Sequence, residues 1–416
     1  MFLTQLLLQI TVILIAARAC GLVLRAFGQP MVIGEMAAGL LLGPAVLGAV
    51  VPEWHAQLFP VASLPPLSSL ATLGVVLFMF IVGAELRAPS GLGAQLRSAA
   101  WVGLSSMALP MVMGVLIAPL LHPTLAPAGV GLLPFSLFMG VSLSITAFPV
   151  LARILKDRNM TRTRVGQLSL GAAGVVDALA WVLLALVVAL ASSNAGLHEF
   201  ARITLGLAVV IAVVFLVVRP LLLRLIAKGA PDGVPSHAVL AVLMIGLFSC
   251  AMLTEWLHLH AVFGAFIFGI SLPRDDRLTH ALAERLEPLS VVVLMPIFFA
   301  LAGLNTSANA FVGAGLGAMG LILLVACVGK IVGATAGARI SGYGWRESLA
   351  AGALMNSRGL MELIVIKVGL DVGLIGPALF TMLLLMALIT TAATGPLLTL
   401  IGRQRDEPVD AAARPR

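Results

Sequence analysis

The sequence predicts an all-α polytopic membrane protein of about 13 transmembrane helices. Three observations lead there. Hydrophobic residues make up 60% of the 416 residues and charged residues only 10%, with a mean hydropathy of +1.11. A soluble domain carries roughly 45–50% apolar and about 25% charged residues, so too little polar surface remains here to cover a globule in water. The apolar residues fall into runs near the length of about 20 residues that crosses ~30 Å of hydrocarbon. These runs do not alternate polar with apolar, as strands of a closed β-barrel do. Soluble-enzyme classes, disorder and coiled coil are excluded by the same composition.

The runs lie at 4–25, 31–50, 65–86, 99–121, 132–155, 164–193, 201–227, 236–257, 259–273, 287–304, 309–338, 347–370 and 373–402. The ninth is short. The first, MFLTQLLLQITVILIAARAC, has no basic start and continues through Gly21–Leu24. It reads as a retained helix, not as a removable signal. The stretch 403–416 reads as a short, polar, disordered tail.

Charge sets the orientation. The net charge is +7, and in a membrane chain such an excess belongs to cytoplasmic loops. No basic stripe interleaved with aromatics suggests a nucleic-acid partner. Of the 25 Lys and Arg, all but Lys330, Arg358, Lys367 and Arg202 lie at ends reached after odd-numbered spans. Those ends are cytoplasmic by the positive-inside rule. The N-terminus is expected outside and the C-terminus inside, in the cell membrane.

Two spans combine glycine or proline breaks with polar residues: MGVSLSITAFPVLARIL in span 5 and ALMNSRGLMELIVIKVG in span 12. Their offset of seven spans predicts two inverted-topology repeats, about 4–193 and about 236–402, joined by a connector helix at 201–227. Together they form one transmembrane transporter domain over 1–402. Interrupted segments at matching places in two halves point to a transport site. Cys20, Cys250 and Cys327 lie far apart and read as free thiols.

Several stretches resemble the second family of the monovalent cation–proton antiporter superfamily. That family holds bacterial sodium/potassium–proton antiporters and plant-type cation/proton exchangers. The resemblance is carried by GQPMVIGEMAAGLLLGP at 28–44, LGVVLFMFIVGAEL at 73–86, SITAFPVLARIL at 144–155, GVVDALAWVLLAL at 174–186, MPIFFALAGLNTS at 295–307 and MNSRGLMELIV at 355–365. It implies a sodium/proton antiporter-like fold with two crossing broken helices, a core that moves as an elevator, and a homodimer. The transported Na+ or K+ and H+ are cargo, and no cofactor is expected. The family places Asp or Asn before the helical aspartate, and here that position is Val176.

Ionisable residues inside the spans carry the expected chemistry. A charge at the bilayer centre costs at least ~3 kcal/mol on insertion scales, so such residues mark function by default. Asp177 sits mid-span. A buried carboxyl holds its proton more tightly than a solvated one, which suits competition between H+ and a cation. Lys330 lies deep in span 11, and the family position it matches holds a lysine that pairs with the aspartate. Arg358 and Glu362 share a helix face at i,i+4. They either neutralise each other and hold the broken helix or take part in transport. Lys367 and Asp371 repeat that spacing as an interfacial pair.

Ser144, Thr146 and Pro149 mark the break in span 5, where freed carbonyls and a hydroxyl are hard ligands for Na+ or K+. In the family frame Asn356 and Ser357 supply the matching break. The cation ligands are thus expected among Asp177, Thr146, Ser144 and Asn356, with helix kinking as the alternative reading of the breaks. Glu35 sits beside the small-xxx-small motif GLLLG and favours helix contact or a place on the pathway. Glu85 reads as an interface anchor. His258, His260 and Glu255 read as solvated loop groups or a metal or pH site. GAGLGA at 313–318 fits a dinucleotide pattern but lacks a preceding strand.

These features predict a secondary antiporter that exchanges a monovalent cation for H+. No HExxH, GxSxG or Walker motif suggests an enzyme or pump. Competing readings are a same-fold carrier of another solute coupled to Na+ or H+, and a cation channel.

Overall fold

The computed structural model describes residues 2–85, 93–161, 163–192, 197–229, 234–257, 260–273, 275–312 and 315–402. The tail at 403–416 and His258 lie outside them. Every regular element among the described residues is helical, in the order α1 (Phe2–Ala26), α2 (Met31–Leu42), α3 (Leu47–Val50), α4 (Pro52–Leu58), α5 (Leu64–Glu85), α6 (Gly93–Leu125), α7 (Leu132–Ser144), α8 (Phe148–Asp157), α9 (Arg164–Ser192), α10 (Leu197–Val213), α11 (Arg219–Gly229), α12 (His237–Trp256), α13 (Ala261–Ser271), α14 (Asp276–Leu289), α15 (Met295–Leu304), α16 (Gly315–Ile340), α17 (Trp345–Met355), α18 (Leu360–Asp371) and α19 (Pro377–Ile401). Helices dominate because hydrocarbon offers no partner to an unpaired backbone group.

Among the described residues, ten helical stretches are long and apolar enough to cross a membrane. The three remaining sequence runs are the exceptional ones. Span 9 is the short α13, span 5 divides into α7 and α8, and span 12 divides into α17 and α18. The chain falls into two compact units. Unit 1 comprises Met1–Ile15, Glu53–Arg87 and Val188–Leu301; unit 2 comprises Ala16–Pro52, Ala88–Val187 and Ala302–Arg416.

In unit 1, α5 packs on α13, with Phe80 and Phe268 stacked at 5.8 Å between centroids. The fully buried Gln9 donates from Nε2 to the Leu58 carbonyl at 2.7 Å and to Ser63 Oγ at 2.6 Å. Glu255 accepts the Ala261 N–H at 2.7 Å and so caps α13. Among the described residues no group of three or more His, Cys, Asp or Glu is placed to hold a metal ion.

In unit 2, α16 turns a glycine face to α6. A Cβ on Gly329, Gly333 or Gly337 would meet Pro110, Ser105 or Val102. The GLLLG glycines likewise meet α15, where Gly39 and Gly43 approach Gly303. The GAGLGA match ends inside α16, and no strand exists among the described residues. All three cysteines are free thiols.

Candidate functional site

The two helix breaks meet inside unit 2. The first spans Ile145, Thr146 and Ala147, between α7 and α8. It precedes Pro149, which stands in the first turn of α8. A missing N–H costs nothing there, so the proline starts the second half-helix and does not itself open the gap. The second break spans Asn356–Gly359, between α17 and α18. The Ala147 N–H donates to the Ser357 carbonyl at 3.1 Å, and Thr146 Oγ1 donates to the Met355 carbonyl at 3.0 Å. Each gap satisfies backbone groups of the other.

Gly359 makes the second gap possible. Its φ of +155° lies where L side chains rarely go, and a Cβ there would sit 2.8 Å from Val150 Cγ2 of α8. Beside it, Arg358 is fully buried. Its Nη1 donates to the Ser142 carbonyl at 3.1 Å and to Glu362 Oε1 at 3.1 Å, and its Nη2 donates to the Leu143 carbonyl at 2.6 Å. Those carbonyls belong to the last turn of α7, where helix geometry leaves acceptors unmatched and favours a cation. The Arg358 N–H donates to Thr391 Oγ1 at 2.8 Å. Arg358 therefore caps one half-helix, while Glu362 balances its charge from the first turn of α18.

Lys330, on α16, is also fully buried. Its ammonium donates to Thr146 Oγ1 at 2.5 Å. This departs from the expected direct pairing with Asp177, because the first gap places a hydroxyl nearer than the carboxylate. Asp177 stands on α9, fully buried, and no side chain donates a hydrogen bond to either of its oxygens. It feels the charge of Lys330 and faces the Phe148 N–H that opens α8. Val176 beside it is buried and apolar.

The other expected ligands divide. Ser144 spends its hydroxyl hydrogen on the Val141 carbonyl at 2.8 Å, which leaves its oxygen lone pairs. Asn356 turns Nδ2 toward Cys327 Sγ at 3.9 Å and keeps Oδ1 without a partner. Ser142 Oγ, Ser357 Oγ and Glu362 Oε2 are likewise buried and unpartnered. Ser142 and Thr391 were missed in the sequence, and Cys327 was read there only as a free thiol. Ser142 had a signal in the polar alternation of SLSITAF. A buried oxygen without a partner costs about 1–3 kcal/mol, and such a set suits a cation or water. Lys367 and Asp371 pair at the far end of α18, and Glu85 closes α5.

With Asp177 ionised, the four buried charges Asp177, Lys330, Arg358 and Glu362 sum to zero. A cluster of balanced charges at crossed helix breaks is an arrangement of the broken-helix class of membrane folds. The chain belongs to the sodium/hydrogen exchanger family, whose transmembrane region it matches over residues 10–403. It is 38% identical over 395 residues to Cation/H(+) antiporter 17 of Arabidopsis thaliana, covering 94% of this chain and 48% of that one. The chain thus spans about half the length of the plant relatives it matches. It is also 38% identical over 396 residues to Na(+)/H(+) antiporter NhaS4 of Synechocystis sp., covering 94% of this chain and 96% of that one. In fold it resembles the solved structure of the sodium proton antiporter MjNhaP1 from Methanocaldococcus jannaschii, with a TM-score of 0.65 and 17% identity over 97% of this chain and 100% of that one.

Proposed function

We propose that this protein is a secondary antiporter that exchanges a monovalent cation, Na+ or K+, for H+ by alternating access. Asp177 is the shared carrier. The observation that carries the reading is a fully buried carboxylate that meets the Phe148 N–H of a half-helix start and feels the charge of a lysine held by another group. Such a carboxylate is stable only when it holds a proton or a cation, so binding one releases the other. Thr146, Ser144 and Asn356 complete the oxygen environment, and Arg358 and Glu362 hold the crossing. Family membership and the cation/H+ antiporter names of its relatives support the same assignment.

The surrounding organisation follows as part of this proposal. The repeats run from about 4 to 193 and from about 236 to 402, each with one broken helix. The carrier works as a homodimer in the lipid of the cell membrane, with its N-terminus outside and its C-terminus cytoplasmic. The segregation of Lys and Arg supports that orientation.

The test uses proteoliposomes with an internal pH dye. Addition of Na+, K+ or Li+ moves protons in the wild type. Asp177→Asn keeps the volume of the side chain but cycles no proton, and it is expected to fold and to show no cation-dependent proton flux. Substantial flux in that variant overturns the carboxylate mechanism.

A further inference from the structure

Helix α17 lies against α16 along a seam that advances four residues at a time on each helix. Thr335 Oγ1 donates to the Ser348 carbonyl at 3.3 Å. One turn on, a Cβ on Gly352 would sit 2.7 Å from the Ile331 carbonyl oxygen. One turn further, Asn356 Nδ2 donates to Cys327 Sγ at 3.9 Å. Each step of four residues is about 6 Å of helix, so these contacts continue one antiparallel line. The line ends where α17 ends, because Asn356 follows Met355 and opens the second gap.

Cys327 and Lys330 stand about one turn apart on α16, and each reaches one of the two gaps. Lys330 holds the Thr146 hydroxyl of the first, and Cys327 holds the Asn356 amide of the second. The thiol is free and partly buried, whereas Asn356 is fully buried. The Asn356 N–H donates to the Ala353 carbonyl at 3.3 Å, which fixes its backbone at the end of α17. The side-chain amide is planar, so with its nitrogen on the sulfur its oxygen is fixed as well. That oxygen, Oδ1, is buried and has no partner. An amide turned end for end would put Nδ2, a donor that repels a cation, in its place. Thiol sulfur is a weak acceptor, but it has only to choose between two ends of one amide.

We propose that Cys327 is a positioning residue for the transported cation: it holds the Asn356 amide so that Oδ1, and not Nδ2, is offered as a ligand at the second gap. This deepens the antiport reading and rests on it. The competing account is packing alone, in which the thiol only fills the seam between α16 and α17.

The experiment measures the KM for Na+ of full-length protein in proteoliposomes. Cys327→Ala removes the acceptor and is expected to raise the KM roughly three- to tenfold, the scale of one neutral hydrogen bond. Its kcat stays within about twofold, since binding and not turnover is affected. Cys327→Ser restores the KM, because a helical serine donates to the carbonyl one turn back and keeps lone pairs for Nδ2. Cys327→Val fills the seam but accepts nothing, so it behaves as the alanine variant does and stands as the test if that one fails to fold. The two accounts separate in an Asn356→Ala background. There Cys327→Ala is expected to shift Na+ affinity by less than about twofold, because no amide remains to position. A packing role shifts it by the same factor in both backgrounds. If Asn356→Ala shows no flux, Na+-dependent thermal stabilisation in detergent reads the same comparison. A wild-type KM in the alanine and valine variants, a serine variant no better than alanine, or equal factors in the two backgrounds overturns the positioning role alone. A wild type without any cation-dependent flux overturns the antiport reading, and the positioning role falls with it.

Discussion

The two helix breaks of unit 2 solve one physical problem in different ways. Each interrupts a span and frees backbone groups where no water or lipid partner exists. The first break, at 145–147, brings one polar side chain, and its preceding carbonyls at Ser142 and Leu143 are satisfied from outside by Arg358. The second, at 356–359, brings an amide, a hydroxyl and the guanidinium itself, and takes its own support from Thr391. The guanidinium donates from the second break to the first, while the Ala147 N–H and the Thr146 hydroxyl donate the other way. The asymmetry teaches that, among the described residues, the only charged tie across the crossing is one buried arginine, beside one backbone and one hydroxyl bond, while several buried oxygens are left over. A pair of symmetric breaks, each capped from within, would leave no such surplus.

The largest expected effect breaks that dependence. Arg358→Gln removes the donors to α7 and leaves Glu362 as a buried charge without its partner. Breaking a buried ion pair from one side costs about 3–5 kcal/mol, so thermal unfolding in detergent should fall sharply and exchange should stop. Arg358→Gln/Glu362→Gln removes the orphaned charge and is expected to regain part of the unfolding temperature, though not the cap on α7. A single variant as stable as the wild type would show that the first break holds itself.

Gly359→Ala comes next and separates two causes. The φ of +155° costs a residue with a Cβ about 1–3 kcal/mol of strain, and the new methyl also overlaps Val150 of α8. Adding Val150→Ala relieves the overlap alone. Unfolding temperatures of the single and double variants then divide strain from collision, and equal values would assign the whole effect to backbone strain.

Thr146→Val tests the first break. It keeps the shape of the side chain but removes the oxygen that accepts from Lys330 and donates to the Met355 carbonyl. The loss is expected to be about 1–2 kcal/mol of stability, with Thr146→Ser near wild type. If valine leaves both stability and exchange unchanged, Lys330 is held by something other than this hydroxyl.

Much of this was legible in the sequence, and the rest was not for a common reason. The ten long spans and both breaks show in apolar run length and in SITAFP and NSRGL, because hydrocarbon thickness and backbone satisfaction act locally. Asp177 and Lys330 show because charge in an apolar run is rare. The spacing of Arg358 and Glu362 shows their contact with each other. Nothing local shows that the same guanidinium reaches carbonyls more than 200 residues away, or that Thr146 takes the ammonium in place of Asp177. Those contacts depend on how the gaps cross. The position of the first gap, ahead of Pro149, was hidden because a proline both starts and breaks helices.

The smallest expected effect is a null shift, and it concerns which groups cycle protons. With a proton on Asp177, the cluster of Asp177, Lys330, Arg358 and Glu362 carries +1. With Asp177 ionised and a monovalent cation bound, it again carries +1. Val176 holds no proton, so it adds nothing. Both moving states then bear equal charge, and exchange should be electroneutral. Lys330 is the group able to upset this, by releasing its own proton when the cation arrives. Its ammonium, however, is held by Thr146 Oγ1, so a cation at Asp177 does not displace its hydrogen-bond partner. A potential of 100 mV is worth ~2.3 kcal/mol per charge moved, which displaces an electrogenic equilibrium by roughly fifty-fold in ion ratio. The measurement is the zero-flux gradient of Na+ or Li+ in proteoliposomes, with and without a valinomycin-set potential. No displacement is expected in the wild type. If a displacement appears in the wild type and vanishes in Lys330→Gln, the ammonium cycles its proton after all, and the first break is part of the coupling and not only of the scaffold.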